Sequence, residues 1–200
     1  MSTFFSFLNS LHVVQGIIVG AVLAFLTANI IMNAALRAAT TTVNGWGIAM
    51  KVGQPGNGMF LRAAFARTLP GVNVAQEAAY WTTTVDGAGQ RLNGQRDYVL
   101  HFPAGPLPPN DAFWSLTMND LQGFMVKNPI NRHSVGSRSN LAPNADGSID
   151  IYLQRAAPAG HESNWLPAPD GPFKRMLRAY LPGRAILDGE YHLPPVTQGH

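Results

Sequence analysis

The pattern of hydrophobic and polar positions begins with one long apolar run. From Phe4 to Leu36 no residue carries a full charge at neutral pH, and the most apolar part extends from Val13 to Met32. A helix of about twenty residues is roughly 30 Å long, which matches the hydrocarbon core of a bilayer. The pattern therefore predicts a single transmembrane anchor over residues 1–38.

A cleaved signal peptide is the alternative interpretation of this run. Such peptides begin with a positively charged segment and have an apolar stretch of about 7–15 residues. Here no Lys or Arg precedes the run, although small residues follow it at Ala34, Ala35, Ala38 and Ala39. We expect the anchor to be retained, and N-terminal sequencing of the mature protein that began near Ala39 would contradict this expectation.

Small and polar residues within the run indicate a protein partner in the membrane. Gly16, Gly20 and Ala24 fall four residues apart on one helical face, where the backbone of a second helix can approach closely. Gln15 and Asn29 are polar, and such groups prefer a protein partner to lipid. We expect a stable oligomer, either with copies of this chain or with a separate membrane protein.

Residues 39–74 are predicted to hold a linker and one short helix. Residues 39–45 are small or polar, which is typical of a linker. Residues 59–69 follow a Gly-Asn-Gly turn and keep their apolar residues at helical spacing, with Arg62 and Arg67 off the apolar stripe. This spacing predicts an amphipathic helix that ends at Pro70.

Beyond Pro70 the period of the pattern changes to two, which indicates strands. The predicted strands cover residues 79–85, 98–102, 113–118, 123–126, 149–153, 173–180 and 191–193. Asp-Gly and Asn-Gly dipeptides between them are strong turn signals. Short strands separated by turns predict a mainly β domain over residues 75–200, an antiparallel jelly-roll-like β-sandwich.

Composition and charge exclude several classes of function. Charged residues make up only 12% of the 200 residues, and the net charge of +3 is not gathered into a basic cluster, which argues against nucleic-acid binding. The chain has no cysteine, so disulfides, thiolate metal sites and cysteine catalysis are excluded. The six histidines show no metal-ligand spacing. We predict neither a metal nor a cofactor.

Three segments together resemble a known family. Residues 113–117, 128–136 and 164–173 running into 177–180 are similar, in order and spacing, to the bacterial family of domain of unknown function 1214, over roughly residues 75–195. The resemblance implies an all-β, jelly-roll-like domain that is often exported and often accompanied by a second domain of unknown function, 1254. This chain resembles a short, membrane-anchored form without that companion.

Two features of the sequence bear on what this resemblance implies: the residue before Asp120 and the charges that follow the apolar run. Asn119 stands where the family more often has an aromatic residue before Asp120, so a ligand role for that aromatic does not carry over. Arg37 and Lys51 follow the apolar run, and the positive-inside rule would keep the domain in the cytoplasm. Because related chains are often exported, we expect instead an inner-membrane protein whose domain faces the periplasm.

Eight polar and aromatic residues of the β domain are candidates for ligand binding. They are Trp114, Asp120, Asn131, Arg132, His133, Asn164, Trp165 and Arg178. The two tryptophans are expected either to pack in the core or to form a platform for a sugar or another flat ligand.

Asp120 and His133 raise the alternative of a hydrolase. Adjacent His133 and Ser134 would point to opposite faces of a strand, and no Gly-x-Ser-x-Gly elbow is present. We expect Asp120 to pair with Arg132 and hold a long loop. The sequence therefore favours a membrane-anchored accessory or ligand-binding subunit over a glycan-active or other hydrolytic enzyme that uses Asp120 and His133.

Overall fold

The computed structural model describes residues 2–69, 71–105 and 107–199. The chain separates into two compact units, a helical unit of Met1–Ala39 with Pro55–Gly71 and a β unit of Thr40–Gln54 with Val72–His200.

The β unit contains ten described strands and two short helical segments. The strands are β1 Thr41–Val43, β2 Trp46–Ile48, β3 Ala78–Thr83, β4 Tyr98–Phe102, β5 Asn110–Asn119, β6 Ser134–Gly136, β7 Ile149–Gln154, β8 Trp165–Pro167, β9 Lys174–Pro182 and β10 Val196–Gln198. A 3-10 turn at Glu162–Asn164 precedes β8, and a short helix at Arg184–Leu187 follows β9.

These strands form two sheets around one core. The first sheet has the order β1-β2-β3-β9-β5-β6, and the second has the order β10-β4-β7-β8. All described pairs are antiparallel except β7 with β8, which run parallel. The prediction of a purely antiparallel domain is therefore corrected at this pair, where the chain returns through the 3-10 turn before β8.

Alternating burial along the strands explains why the sheets face each other. On β9, Leu177 and Ala179 are fully buried while their neighbours are partly exposed. Phe102 of β4 and Trp114 of β5 meet across the core with ring centroids 5.5 Å apart. The prediction of a mainly β domain is confirmed, because one face of each sheet is apolar enough to be buried against the other.

Among the segments that differ from the sequence-based prediction, three have a local cause or a clear outcome. Residues 41–43, interpreted as linker, form β1, because Asn44 and Gly45 adopt positive φ of 53° and 82° and turn the chain into a hairpin with β2. Residues 123–126 form only an isolated bridge to Asn119. Residues 191–193 form no strand and precede two prolines, which lack an N–H donor, and β10 begins after those prolines.

The helical unit consists of two described helices, α1 Ser2–Ala38 and α2 Met59–Thr68. Within α1, Ser10–Ala38 is long enough and, with a mean hydropathy of 2.1, apolar enough to cross a membrane. α2 confirms the predicted short helix and contacts α1.

Candidate functional site

The two tryptophans singled out by the sequence are core residues. Trp114 is 2% exposed, and its indole N–H has no hydrogen-bond acceptor among the described residues. Trp165 is 8% exposed, and its Nε1 donates to the carbonyl of Gln154 at 2.7 Å. Neither ring is open to a flat ligand, so the core interpretation holds for both.

Asn164 and Arg132 brace the segment that leads into β8. The Asn164 amide nitrogen donates to the carbonyls of Ala142 and Asp150, at 2.8 and 2.9 Å, and its Oδ1 accepts from the Ala142 N–H. Arg132 Nη1 donates to the carbonyl of Trp165 at 2.9 Å. The structure therefore brings Arg132, Asn164 and Trp165 together as a support for the chain, with their polar atoms directed at backbone.

Asp120 does not pair with Arg132, which corrects that expectation. Asp120 Oδ1 accepts from the N–H of Phe124 at 2.9 Å, inside its own turn. His133 Nδ1 lies 2.9 Å from the carbonyl of Val126, and its Nε2 lies 2.9 Å from Asn131 Oδ1. Each candidate for acid–base chemistry is thus held by its own loop, and the described part of the chain contains no hydrogen bond between Asp120 and His133.

Arg178 lies on β9, on the face of the first sheet that points away from the core. Its Nη1 donates to the hydroxyl of Thr117 on the neighbouring β5 at 2.9 Å, and the side chain is half-buried. This bond links two adjacent strands of the sheet.

A groove that the sequence-based candidates do not include lies beside the turn before β4. It has a volume of about 410 Å³. Its lining consists of Gln90, Arg91, Leu92, Asn93, Gln95, Arg96 and Pro172, and we call it the arginine groove.

Backbone pairing and a tight turn give the arginine groove its shape. Asn93 bridges Pro172, and the Asn93 carbonyl and side-chain oxygen accept from the N–H groups of Arg96 and Gln95, each at 3.0 Å. Gly94 packs against the chain at Pro169, where an added Cβ would lie 1.6 Å from the carbonyl oxygen. Only glycine fits this position, so the turn is held close to the segment that contains Pro172.

The arginine groove is positively charged. Arg91 and Arg96 are both exposed, and none of the seven lining residues carries a negative charge. Arg96 Nη1 donates to Gln90 Oε1 at 2.7 Å, which holds the guanidinium beside the groove. Guanidinium groups match the geometry of carboxylates and phosphates, and amide side chains both donate to and accept from hydroxyl groups.

A second, smaller concavity is lined by aromatic residues. This aromatic pocket, of about 80 Å³, lies at the edge of the first sheet and includes Trp46, Trp81 and Tyr191. Trp81 and Tyr191 meet edge to face at 6.4 Å, and burial raises the pKa of the Tyr191 phenol. Trp46 Nε1 donates to the carbonyl of Pro194 at 2.9 Å. The pocket is largely an inlet into the core.

The sequence carried one signal for the arginine groove. Asn93-Gly94 is a turn dipeptide, and it separates Arg91 and Leu92 from Gln95 and Arg96. The turn alone does not show that Pro172 closes the groove, because the contact joins segments almost eighty residues apart.

The fold defines a class, a two-sheet β unit that follows a long apolar helix. A family model described as "Protein of unknown function (DUF1214)" matches residues 77–184, and the chain belongs to this family. The resemblance drawn from the sequence is thereby confirmed.

Two solved structures are similar to the chain. The crystal structure of the VPA0106 protein from Vibrio parahaemolyticus is 32% identical in sequence with a TM-score of 0.60, over 70% of this chain and 35% of that chain. An uncharacterised protein from Burkholderia cenocepacia is 16% identical with a TM-score of 0.38, over 62% of this chain and 29% of that chain. The chain thus spans about a third of the length of these proteins. No curated protein matches it.

Proposed function

We propose that the protein is a membrane-anchored ligand-binding subunit, and that its arginine groove binds a small hydroxylated anion such as a sugar acid or a sugar phosphate. The single observation that carries this proposal is the groove itself, with two exposed guanidinium groups, amide side chains and no carboxylate in its lining.

Size and chemistry both favour the arginine groove over the aromatic pocket. Its volume of about 410 Å³ lies within the usual range of small-molecule sites, about 300–1,000 Å³. The aromatic pocket, at about 80 Å³, is smaller than the cavity of about 150 Å³ that holds one benzene molecule. It could take the end of a ligand but not a whole sugar.

We propose that α1 spans the bacterial inner membrane and that the β unit faces the periplasm. Ser10–Ala38 supplies the apolar length that an anchor needs. The export that the family resemblance implies supports the periplasmic side, whereas the positive-inside rule, applied to Arg37 and Lys51, favours the cytoplasm. Addition of protease to intact spheroplasts decides between the two sides.

We also propose that the two sheets are the jelly-roll-like sandwich that the family resemblance implies. The chain passes repeatedly from one sheet to the other, as it does between β3 and β4 and again between β4 and β5. This alternation supports a jelly-roll-like arrangement over a set of simple hairpins.

Assembly with a partner is part of the proposal. A Cβ added at Gly16 or Gly20 meets nothing within 4 Å, so no other part of the described chain covers these two positions and a helix of a partner can approach them. Open space and small residues on one face favour close packing in a membrane.

A hydrolytic function has less support. Asp120 accepts from the backbone of its own turn, and His133 contacts Val126 and Asn131. A catalytic pair needs the base within hydrogen-bond reach of its partner and of substrate. The ligand-binding proposal is therefore preferred.

Calorimetric titration of the detergent-solubilised chain tests the groove. The ligands are inorganic phosphate, glucose 6-phosphate and glucuronate, with glucose as the uncharged comparison. Arg91→Gln and Arg96→Gln should each lower the association constant for an anionic ligand about 10- to 100-fold, because each removes one charge-assisted hydrogen bond. Arg184→Gln removes an exposed arginine outside the groove and should leave binding unchanged. Failure of all three anions to bind, or an equal loss in all three variants, would refute the proposal.

A further inference from the structure

Arg67 of α2 links the two helices of the helical unit by hydrogen bonds to Asn29 and Asn33 of α1, and we call this contact the Arg67 clamp. Its Nη1 donates to Asn29 Oδ1 and its Nη2 donates to Asn33 Oδ1, each at 2.6 Å. The two asparagines are four residues apart and so lie on one face of α1. One planar guanidinium therefore binds two successive turns of α1, a geometry that suits arginine.

The orientation of the Asn29 amide is fixed within α1. Its Nδ2 donates to the carbonyl of Phe25 at 2.8 Å, one turn earlier. Because the amide nitrogen is directed at this carbonyl, the amide oxygen on the opposite side of the planar group is directed at Arg67. Both asparagines lie near the C-terminal end of the apolar run, which places the clamp at the boundary of the proposed membrane span.

The exposed face of α2 is apolar. Met59 is 74% exposed and Ala63 and Ala66 continue its face, while Phe60, 38% exposed, lies at the edge of that face. Arg62 lies at one edge of this face and Arg67 at the other edge, where Arg67 and Phe60, seven residues apart, point in nearly the same direction. Large apolar side chains bordered by long basic ones are typical of a helix that lies at a membrane surface.

The charge of the helical unit is of one sign. Arg37, Arg62 and Arg67 lie within its two segments, which contain no Asp or Glu. Each basic residue near an anionic bilayer surface contributes favourable electrostatic energy. This distribution of charge gives a helix among anionic lipid headgroups favourable electrostatic energy, which a helix surrounded by water does not gain.

We propose that α2 is an interfacial helix, with its Met59–Phe60 face inserted at the boundary between lipid headgroups and acyl chains and with the Arg67 clamp holding it to the end of α1. This inference rests on the proposed anchor. The anchor of the protein then has two parts, a spanning helix and a surface helix, and anionic phospholipid headgroups are the partner of the second.

Fluorescent labels at single cysteines test this proposal, because the natural chain has no cysteine. Phe60→Cys reports on α2, Ala21→Cys on α1, and Gln198→Cys on the β unit. The full chain is placed in vesicles of phosphatidylethanolamine and phosphatidylglycerol, with nitroxide quenchers near the headgroup or deep in the acyl chain. The label at 60 should be quenched about twofold more by the shallow than by the deep nitroxide, since interfacial helices insert about 5–10 Å. The label at 21 should show the reverse order, and the label at 198 should show no quenching.

The three labels separate the two proposals. Deep quenching at 21 together with a label at 60 that behaves like 198 would overturn the interfacial helix and leave the anchor standing. Absence of quenching at both 21 and 60 would overturn the anchor and the interfacial helix together.

Arg67→Met and Arg67→Lys, each in the Phe60→Cys background, test the clamp. Both should reduce shallow quenching at 60, because neither side chain offers the planar fork of N–H donors that meets the two asparagine oxygens. Arg62→Met, on the same helix, should reduce it less, because it removes a charge that lies outside the clamp. Equal losses in Arg67→Met and Arg62→Met, with no loss in Arg67→Lys, would show that charge alone holds α2 and would overturn the clamp, and so would no loss in either Arg67 variant. The helix content measured by circular dichroism identifies a variant in which α2 has unfolded.

Discussion

Arg175 lies on the core side of β9, between Met118 and Thr83 on the neighbouring strands. It is fully buried, and none of its three guanidinium nitrogens has a hydrogen-bond acceptor among the described residues. The ring of Phe173, 5.9 Å away, supplies only a weak cation–π contact. A buried charge without a partner destabilises a fold, and burial lowers the pKa of Arg175 to about 9.

Replacement of Arg175 by methionine should stabilise the protein. Arg175→Met keeps most of the volume and removes the buried charge, so the free energy of unfolding at pH 7 should rise by about 1–3 kcal/mol. The folded-state pKa lies below the unfolded value, so the wild-type protein gains stability as pH rises through about 9. The advantage of the variant should therefore shrink above that pH.

Denaturant titrations in detergent at pH 7 and pH 10 measure both effects. Arg178→Met, which removes a half-buried arginine that is bonded to Thr117, is the matched control and should not stabilise. A loss of stability in Arg175→Met would contradict this prediction and would mean that the Arg175 guanidinium has a stabilising partner in solution.

Asn164 is a buried polar residue whose side-chain oxygen and nitrogen both have hydrogen-bond partners. It is 2% exposed, and Asn164→Ala would leave the Ala142 N–H and two carbonyls without their bonds. We expect the free energy of unfolding to fall by about 2–3 kcal/mol, because unsatisfied buried groups are expensive. Asn140→Ala, at an exposed position, should change it by less than about 0.5 kcal/mol in the same denaturant titration. Equal effects would show that the Asn164 bonds do not hold this segment.

The sequence identified Asn164, Trp165 and Arg132 as notable but not their role. Their hydrogen-bond partners lie 11 to 33 residues away along the chain, at Gln154, Ala142, Asp150 and Trp165 itself. Such long-range pairs depend on strand register, which a single sequence does not reveal. The three residues therefore became ligand candidates although their polar atoms bind the backbone.

Among the elements, those with a clear period were predictable. The strands β3, β4 and β7 alternate between buried and more exposed positions over five residues each, and their bounds were predicted to within two residues. β1 and β2 have only three residues each, too few to show a period. Their Asn44-Gly45 turn was the available signal, since this dipeptide readily adopts positive φ at both positions.

The open face of α1 gives a prediction about assembly. Gly20→Leu fills a position where a Cβ meets nothing within 4 Å, so it should leave the β unit folded and weaken association with a partner helix. Sedimentation in mild detergent, with crosslinking in native membranes, measures the association. Ala21→Leu places the same side chain on another face and should leave assembly unchanged. A wild-type chain that sediments as a monomer and crosslinks to nothing would contradict the assembly proposal.

At the scale of the whole molecule, the charges that follow the apolar run and the family resemblance favour opposite sides of the membrane for the β unit. Arg37 and Lys51, together with Arg62 and Arg67, all follow the apolar run, and by the positive-inside rule they oppose a periplasmic β unit. We nevertheless predict that protease added to intact spheroplasts digests the β unit, with a cytoplasmic enzyme as the protected control. Digestion only after lysis would place the β unit in the cytoplasm and would give the positive-inside rule precedence over the family resemblance.

Hydrogen exchange of the full chain, with and without saturating glucose 6-phosphate or glucuronate, tests the central claim most directly. It locates a bound ligand on the molecule and so separates the arginine groove from the aromatic pocket. Ligand that binds in the groove should slow amide exchange in residues 90–96, because it restricts opening of that turn. The same ligand should leave residues 41–50 and 186–193, which line the aromatic pocket, unchanged. Unchanged exchange over residues 90–96, or slowing confined to the aromatic pocket, would contradict the account.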